Sequence, residues 1–482
     1  MTPPIAHQDD YIIDVPYPDY FHRELMPLWL CSTLQALGRR APDLLQPYTW
    51  LELGCGTGIS TVIAAVTNPM GNFIGIDINP NAISRAQALA DTVGVRNVRF
   101  LCQSFETTLS TRGTDALPGC DFIVSHGVYS WVSPTQRSAL RALVDRHLKP
   151  GGVLYLAYMS QPGSAAMAAA QKLAYLSVEN FTVQGTPASS EIKADAGIAL
   201  LEALSTVGTG YFTEHPRLAS EVGKLSAMDR RYIAHEFLNA HWDSLHVADV
   251  IADLQDVGCS YAGSATLLEN VDGASLPENC LPVLAQLRAR GVSLAAQETF
   301  KDIARNQNER RDIYQRDASA PDTNLLSAEE HRGILLAQRV ALLPAAPNEH
   351  ASLPPVLMLE TRIGPVQIPM AHVAPLLTSL QAGPKSYAQL IQLPPYVKQP
   401  GSVSQLLQIL AWVGWIHFLR PDWEIGGTNK QLIQKINIAL ENRLCGYPPL
   451  RYTAAAATGS AQIMSSNRNN QIHQKIVNFL NS

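Results

Sequence analysis

Three glycines, Gly54, Gly56 and Gly58, lie in the sequence LELGCGTG, directly after a short apolar run and before a helical one. Glycine permits a positive φ and carries no Cβ, so a turn of this kind lets a ligand approach the backbone closely. The spacing is GxGxG, and Ile59 stands where a dinucleotide-binding fingerprint requires its third glycine. A ligand other than a dinucleotide is therefore predicted to bind against this turn.

Two carboxylates accompany the turn. Glu52 precedes the first glycine by two residues, where its charge would repel a phosphate and attract a cationic amino-acid group. Asp77 ends the next apolar run, FIGID, at the edge of the sheet where α/β proteins bind their ligands, and it can accept hydrogen bonds from ribose hydroxyls. Together the two acids favour S-adenosylmethionine (S-adenosyl-L-methionine) over NAD as the cofactor.

Further candidate cofactor contacts come from the turn itself and from the next two strand ends. Cys55 lies within the turn, and Ile78 follows Asp77. The third apolar run ends in LCQSFE, where Gln103 and Ser104 offer polar groups to the edge of an adenine and Phe105 offers its ring to the adenine face. These residues complete the predicted cofactor site.

Short apolar runs alternate with helical stretches between residues 48 and 158. The runs are TWLEL, NFIGID, VRFLCQ, CDFIVS and GVLYLAY. This alternation is typical of a parallel sheet with crossover helices, whose strand ends gather the candidate residues at one edge. The predicted fold is α/β, with a Rossmann-like sheet.

The remaining chain predicts additional segments around this sheet. Residues 1–162 contain the N-terminal segment and the cofactor-binding core, 163–245 an Ala- and Leu-rich helical insertion, 246–317 the completion of a discontinuous sheet, 318–356 a Pro- and Ala-rich linker region, and 357–482 a C-terminal domain. In that domain, helices followed by the strand WIHFLR resemble a winged helix. We expect it to be separable from cofactor binding.

Taken in order, LELGCGTG, IGIDINP, a strand ending in QSF, DFIVSHG and LKPGGVLYLAY resemble the class I S-adenosylmethionine-dependent methyltransferases. The pieces YIIDVPYPDY, SHGVYSWVS, YIAHEFLNAHW and GCSYAGSATL are similar to bacterial methyltransferases that carry a methyltransferase regulatory domain, a group that includes the rickettsial enzymes that methylate lysines of outer-membrane proteins. The resemblance implies that the protein is a methyltransferase, with lysine as the favoured acceptor.

Methyl transfer from a sulfonium is an in-line displacement, so the enzyme has to align the acceptor and exclude water. A lysine must first lose a proton, which an aromatic and partly apolar pocket would favour. Tyr17, Tyr20, His126, Tyr129 and Trp131 are the candidates for such a pocket. His126 is interpreted more readily as a cofactor contact than as a general base, while Tyr129 and Trp131 have an alternative interpretation as core residues.

Two histidines flank a glutamate in the string HEFLNAH, which begins with His235 and Glu236 and ends with His241. The histidines are six residues apart, which departs from the i, i+4 spacing of a helical metal site. A structural role is favoured, and no metal is predicted.

Composition limits the classes of partner. The 482 residues have 46% hydrophobic and 16% charged side chains and a net charge of -5, which gives no general attraction to nucleic acid. Seven cysteines without a CxxC pair and a polar start, MTPPIAHQDD, predict a reduced, cytoplasmic protein. The longest apolar run, residues 406–419, is too short to span a membrane.

The leading hypothesis is a methyltransferase that acts on a protein side chain. Two alternatives remain open: a small-molecule methyltransferase of a biosynthetic pathway, and a non-catalytic, cofactor-binding regulator. A homodimer is possible under each of them.

Overall fold

A computed structural model of the chain describes residues 7–8, 11–113, 116–318, 324–347, 354–422, 430–441, 443 and 452–463. The N-terminal part contains two short strands and a helix: β1 (His7–Gln8), β2 (Tyr11–Ile12) and α1 (Pro27–Ala36). Residues 13–26 between β2 and α1 form an irregular segment with one 3-10 turn. Helix α1 is buried, and the Trp29 indole N–H donates a 2.8 Å hydrogen bond to the Ala265 carbonyl.

The cofactor-binding core has alternating strands and helices, as the apolar runs predict. Its elements are β3 (Tyr48–Leu53), α2 (Ile59–Thr67), β4 (Gly71–Asp77), α3 (Pro80–Val93), β5 (Val98–Cys102), α4 (Phe105–Ser110), β6 (Cys120–Ser125), α5 (Pro134–His147) and β7 (Leu148–Met159). Local chemistry sets two helix starts, since Asn79 caps α3 and Ser133 caps α5, each followed by proline at the first helical position.

The insertion predicted at 163–245 is helical except for one short hairpin. It contains α6 (Ala165–Val178), β8 (Thr182–Val183), β9 (Thr186–Pro187), α7 (Ser190–Thr206), α8 (Gly210–Glu214), α9 (Pro216–Leu225) and α10 (Arg230–Phe237). These helices bury their own apolar cluster, which also takes in Ile12 and Val15 of the N-terminal segment. The N-terminal segment and the insertion therefore pack as one unit beside the sheet.

The chain then returns to the sheet. The returning elements are α11 (Val247–Gln255), β10 (Cys259–Ser264), α12 (Asp272–Ser275), α13 (Leu281–Ala289), α14 (Leu294–Arg305) and β11 (Glu309–Arg316). The seven strands lie in the order β10-β11-β7-β6-β3-β4-β5, and β11 is antiparallel to both of its neighbours. The predicted Rossmann-like sheet is confirmed, and it is discontinuous in sequence.

Where the structure describes it, the C-terminal part has three small sheets among short helices. Its elements are α15 (Ala328–Ala337), β12 (Arg339–Leu342), β13 (Val356–Thr361), β14 (Gly364–Pro369), α16 (Ala374–Gln381), β15 (Lys385–Ser386), α17 (Tyr387–Leu390), α18 (Gly401–Val413), β16 (Ile416–Phe418), α19 (Lys430–Glu441), β17 (Tyr452–Ala455) and β18 (Ser460–Ile463). The order of helices before the strand β16 matches the expectation, and the winged-helix assignment stays a prediction.

The region 318–356 differs from the linker that its Pro and Ala content predicts. It contains α15 and β12, and β12 is the central strand of the sheet β15-β12-β16. A capping box between Ser327 and Glu330 starts α15, and the side chains of Val340 and Leu342 are buried. Local capping and tertiary burial thus override the composition of the flanking residues.

The cores of the two halves are continuous. One buried apolar cluster contains Trp29 and Val62 of the N-terminal half together with Leu376, Leu410 and Ile436 of the C-terminal part. Removing the C-terminal part would therefore expose apolar surface of the cofactor-binding half. The prediction of a separable C-terminal domain does not take this shared core into account. Within the described residues, no helix combines the length and the apolar character needed to cross a membrane.

Candidate functional site

A cavity of about 700 Å³ lies at the carboxyl ends of β3, β4, β5 and β6. Most of the residues that the sequence places in a site line this cavity. They are Glu52, Gly54, Cys55, Gly56, Asp77, Ile78, Gln103, Ser104, Phe105, His126, Trp131, Tyr17 and Tyr20. Two predicted residues, Gly58 and Tyr129, do not line it.

The glycine turn has positive φ at Gly54, Gly56 and Gly58, as its composition requires. A Cβ at Gly54 would overlap Cγ2 of Val128, whereas a Cβ at Gly56 would meet no heavy atom within 4 Å in the described part of the chain. Gly54 is thus needed for packing, and Gly56 leaves open the space beside the cavity.

Gly58 acts at the start of α2 rather than at the cavity. It adopts a left-handed conformation just before the helix, and a Cβ there would lie 2.6 Å from Cβ of Ala86. The motif spacing predicts that Gly58 contacts the cofactor. In the structure, however, Gly58 lies against α3 and does not line the cavity.

Asp77 fastens the turn to the neighbouring strand. Its Oδ2 accepts a 2.8 Å hydrogen bond from the Gly56 N–H, and Oδ1 accepts one of 2.8 Å from the Asn79 N–H. Burial raises the pKa of Asp77, and these backbone hydrogen bonds oppose that rise. Each carboxylate oxygen has a further lone pair, so Asp77 can hold the turn and still accept from a ligand.

Glu52 lies at the floor of the cavity with a buried side chain. Burial raises the pKa of Glu52 to about 8, and the hydroxyl of Thr61, which donates to Oε2, opposes the shift. A cationic ligand group nearby would favour the charged carboxylate. Glu52 therefore lies where it could bind the amino group of the cofactor, as its place before the glycine turn predicts.

The end of β5 contributes two polar residues and one aromatic residue to the cavity wall, namely Gln103, Ser104 and Phe105. Ser104 caps α4 by accepting a 3.1 Å hydrogen bond from the Thr107 N–H, and Gln103 accepts a 3.3 Å bond from the Thr108 hydroxyl. Phe105 is only 8% exposed. Gln103 and Ser104 thus carry structural hydrogen bonds in addition to lining the cavity.

His126 stands between two rings at the end of β6. Its Nδ1 shares a 2.8 Å hydrogen bond with the Tyr155 hydroxyl, and its ring stacks on His22 with centroids 3.5 Å apart. Burial lowers the pKa of His126 well below its usual value, and the nearby His22 and Arg311 add to the shift. A neutral imidazole of such low basicity suits a positioning contact better than a general base.

Trp131 and Tyr129, two residues apart, point to different environments. Trp131 lines the cavity, and its buried indole N–H has no hydrogen-bond partner among the described residues. Tyr129 is 1% exposed in a core cluster, and its hydroxyl lies 3.3 Å from Oδ2 of Asp253 on α11. The core interpretation thus applies to Tyr129 and the pocket interpretation to Trp131.

Four residues that line the cavity come from the insertion and from β11 and are not predicted by the sequence to belong to the site. Helix α10 contributes Tyr232 and Glu236, and the start of β11 contributes Glu309 and Arg311. Tyr232 and Glu236 are four residues apart on a helix, a spacing that puts them on one face. That spacing was an available signal, whereas the position of β11 beside β7 could come only from the fold.

His235 has the structural role that its spacing favours. Its Nε2–H donates a 2.9 Å hydrogen bond to the Val15 carbonyl, which ties α10 to the N-terminal segment. Burial lowers the pKa of His235 to about 4. Among the described residues, no group of three or more His, Cys, Asp or Glu side chains is arranged to hold a metal ion.

Comparison with known proteins gives two family matches. Residues 46–197 match the methyltransferase domain family, and residues 229–316 match the family described as a predicted methyltransferase regulatory domain. An uncharacterised protein of Synechocystis sp. is 31% identical over 415 residues, covering 85% of this chain and 76% of that protein. An uncharacterised Rickettsia prowazekii protein is 25% identical over 226 residues, covering 47% of this chain and 86% of that protein.

Among solved structures, the fold is similar to that of PKMT2 from Rickettsia typhi. The PKMT2 structure in complex with AdoHcy has a TM-score of 0.66 and 17% sequence identity, and the match covers 96% of this chain and 88% of PKMT2. At this identity the likeness concerns the fold. The family matches, the Synechocystis relative and the sheet order agree, so the chain belongs to the class I S-adenosylmethionine-dependent methyltransferases that carry a methyltransferase regulatory domain.

Proposed function

We propose that the protein methylates the side-chain amine of lysine in a protein substrate, with the cofactor held at the glycine turn. The observation that carries the choice of acceptor is the charge of the cavity wall. Five carboxylates line it, those of Asp14, Glu52, Asp77, Glu236 and Glu309, against the guanidinium groups of Arg85 and Arg311. Burial holds the pKa of Glu52 and Glu236 at about 8 and 7, and an ammonium group beside them would favour their charged forms, so this wall favours a cationic acceptor over a neutral or anionic one.

The turn fits S-adenosylmethionine on its own geometry. Open space faces Gly56, the buried Glu52 suits an ammonium group, and Asp77 keeps acceptor capacity for hydroxyls. The residues proposed to contact the cofactor are Glu52, Gly54, Cys55, Gly56, Asp77, Ile78, Gln103, Ser104, Phe105 and His126. When bound, the cofactor supplies a methyl group on a sulfonium sulfur.

The chain's own contribution is alignment and exclusion of water. Both guanidinium groups of the wall are paired, because Arg311 lies 3.2 Å from Glu309 and Arg85 lies 3.4 Å from Asp19. The wall carboxyl groups that form no ion pair with these arginines therefore lie elsewhere in the cavity, where an ammonium group would favour their charged forms. The aromatic rings of Tyr17, Tyr20 and Trp131 supply an apolar wall for the aliphatic part of a lysine.

The similarity of the fold to PKMT2 and the matched regulatory domain support a large substrate. The insertion and the C-terminal domain are proposed to present that substrate. A cytoplasmic location, as the cysteine pattern predicts, is part of the same proposal.

The test is transfer of a tritiated methyl group to the proteins of a clarified lysate. We expect label in the protein fraction, recovered as ε-N-methyllysine after acid hydrolysis, and less of this label with Asp77→Ala at limiting S-adenosylmethionine. Label confined to the low-molecular-weight fraction would overturn the protein substrate, and label on another amino acid would overturn lysine.

A further inference from the structure

Three tyrosine rings that line the cavity form a compact group. The ring centroids of Tyr17 and Tyr20 are 5.5 Å apart, those of Tyr17 and Tyr232 6.4 Å, and those of Tyr20 and Tyr232 6.3 Å. We call these three residues the tyrosine cage. They come from two parts of the chain, the N-terminal segment and α10, and all three line the cavity.

A carboxylate belongs to the same group. The hydroxyl of Tyr17 donates a 3.0 Å hydrogen bond to Oε1 of Glu236, and Glu236 lies one helical turn after Tyr232 on α10. Glu236 lines the cavity and is half-buried. Aromatic faces beside a carboxylate form an arrangement that attracts an alkylammonium group through cation–π contacts and charge.

A series of stacked rings connects the tyrosine cage to the end of β6. Tyr20 stacks on His22 at 5.7 Å, and His22 stacks on His126 at 3.5 Å at the end of β6. The charges of both Asp77 and Glu236 raise the pKa of the Tyr11 hydroxyl, after burial itself, so Tyr11 lies within the field of both acids. The cage is therefore part of the cavity that contains the proposed cofactor residues.

We propose that Glu236, held in the tyrosine cage, receives the ammonium group of the methyl acceptor and removes its proton before transfer. The inference rests on the proposed function and assigns to it a proton acceptor. The N–H bond breaks and its proton moves to a Glu236 oxygen, leaving a neutral amine and a neutral carboxyl group. The nitrogen lone pair then forms the new C–N bond, the C–S bond breaks with its electron pair going to sulfur, and Glu236 releases its proton to solvent.

The surroundings of Glu236 suit this exchange. Burial raises the pKa of Glu236 to about 7, the Tyr17 hydrogen bond opposes the rise and the Glu309 charge adds to it. A proton acceptor with a pKa near the working pH is the most effective one. Among the residues that the structure describes, Glu236 interacts electrostatically with the titratable groups of Tyr11, Tyr17, Tyr20, Tyr232 and Glu309.

The other candidates in the cavity are less suited to take this proton. Burial lowers the pKa of His22 to about 4 and that of His126 well below its usual value, which makes both rings weak bases. Glu52 and Asp77 lie at the glycine turn, where they bind Thr61 and the backbone. Glu309 already pairs with Arg311 at 3.2 Å.

The first experiment needs no methyl transfer. Infrared difference spectra of wild type minus Glu236→Gln isolate the carbonyl stretch of the protonated Glu236 carboxyl group. We expect this band to disappear as the pH rises through about 7, and to disappear at lower pH when n-butylammonium, an analogue of the lysine side chain, is added. A band that does not respond to n-butylammonium at any concentration that leaves the protein folded would overturn the inference.

The second experiment follows the pH dependence of ε-N-methyllysine formation on lysate proteins. For wild type, initial rates at low substrate are expected to rise with pH to a plateau above about 7. Glu236→Gln is expected to be about 100-fold slower at neutral pH and to recover as the pH approaches 10, because free lysine loses its own proton there. Tyr17→Phe removes the hydrogen bond that favours the carboxylate, so its profile is expected to shift to higher pH.

Glu214→Gln, an exposed carboxylate of the same insertion, is the matched control and should retain the wild-type profile. A loss in Glu236→Gln that is equal at every pH would indicate a structural role and overturn the inference. Lysine methylation with an unchanged Glu236→Gln profile would overturn the inference alone, whereas the absence of methyllysine from wild-type reactions would overturn the proposed function.

Discussion

Nη1 of Arg443 lies 3.2 Å from Oδ2 of Asp19, and this ion pair joins the C-terminal domain to the segment that closes the cavity. Oδ1 of Asp19 accepts a 2.6 Å hydrogen bond from the Thr57 hydroxyl in the glycine turn, and Arg85 lies 3.4 Å from the same oxygen. One carboxylate therefore connects the N-terminal segment, the cofactor turn and the C-terminal domain.

Arg443→Ala should weaken cofactor binding although Arg443 does not line the cavity. Loss of the pair leaves Asp19 held by Thr57 and Arg85 alone, which loosens the contact of the N-terminal segment with the glycine turn. The pair is partly exposed, and such pairs contribute about 0.2–1 kcal/mol, which corresponds to a dissociation constant about 1.5- to 5-fold higher. Calorimetry with S-adenosylmethionine measures the effect. Lys430→Ala, an exposed cation on α19, is the control, and equal affinities of all three proteins would contradict the coupling.

Gly54 and Gly56, which both belong to the glycine turn and line the cavity, should respond differently to alanine. Gly54→Ala is expected to lower the thermal stability strongly, since its Cβ would overlap Val128. Gly56→Ala carries only the strain of a positive φ, on the order of 1 kcal/mol, but puts a methyl group into the space proposed for the cofactor. Melting temperature and cofactor affinity separate the two cases. A Gly56→Val protein with full affinity would contradict the proposed cofactor position.

Asp77→Ala should weaken S-adenosylmethionine binding by ~1–3 kcal/mol, the range for hydrogen bonds that involve a charged group. The substitution removes both the acceptor for the ribose and the acceptor for the Gly56 N–H. Asp77→Asn retains one acceptor oxygen and should lose less. Calorimetry on the two variants gives the order, and an Asp77→Ala dissociation constant equal to that of wild type would exclude Asp77 from the ribose role.

The cofactor half of the cavity could be predicted from sequence because its residues are local to strand ends. Glycines, Asp77 and Phe105 follow individual apolar runs, and parallel strands place those ends at one edge. The part of the cavity that the insertion and β11 form could not be predicted in this way. Tyr232 approaches Tyr17 only through the packing of the insertion on the N-terminal segment, and Glu309 arrives through an antiparallel strand whose place in the sheet depends on the whole fold.

Glu52→Gln should stabilise the protein at alkaline pH and not at acidic pH. The folded protein keeps the Glu52 proton up to about pH 8, whereas the unfolded chain releases it near 4.5. Stability from this group is therefore present below about pH 4.5 and is lost as the pH rises to 8, by up to about 5 kcal/mol. Gln has no such loss. Denaturant unfolding of both proteins at pH 5 and 8.5 tests this, and an equal difference at both pH values would contradict it.

Trp131→Ala and Tyr129→Ala provide a matched pair two residues apart. Trp131 lines the cavity, so its loss should reduce the single-turnover rate far more than cofactor affinity, because the acceptor would lose an aligning and water-excluding wall. Tyr129 packs in a core cluster and its hydroxyl lies 3.3 Å from Asp253, so its loss should lower stability by roughly 3–5 kcal/mol, as expected for a large buried aromatic.

The two outcomes are separated by measuring melting temperature, cofactor affinity and single-turnover rate on the same preparations. Tyr129→Ala should keep its rate per folded molecule, and Tyr129→Phe should recover most of the stability because it retains the ring. Trp131→Phe, which keeps an aromatic wall, should be faster than Trp131→Ala. Full turnover by a destabilised Trp131→Ala protein would mean that Trp131 is a packing residue, like Tyr129. The tyrosine cage would then have to form the aromatic wall of the acceptor site without Trp131.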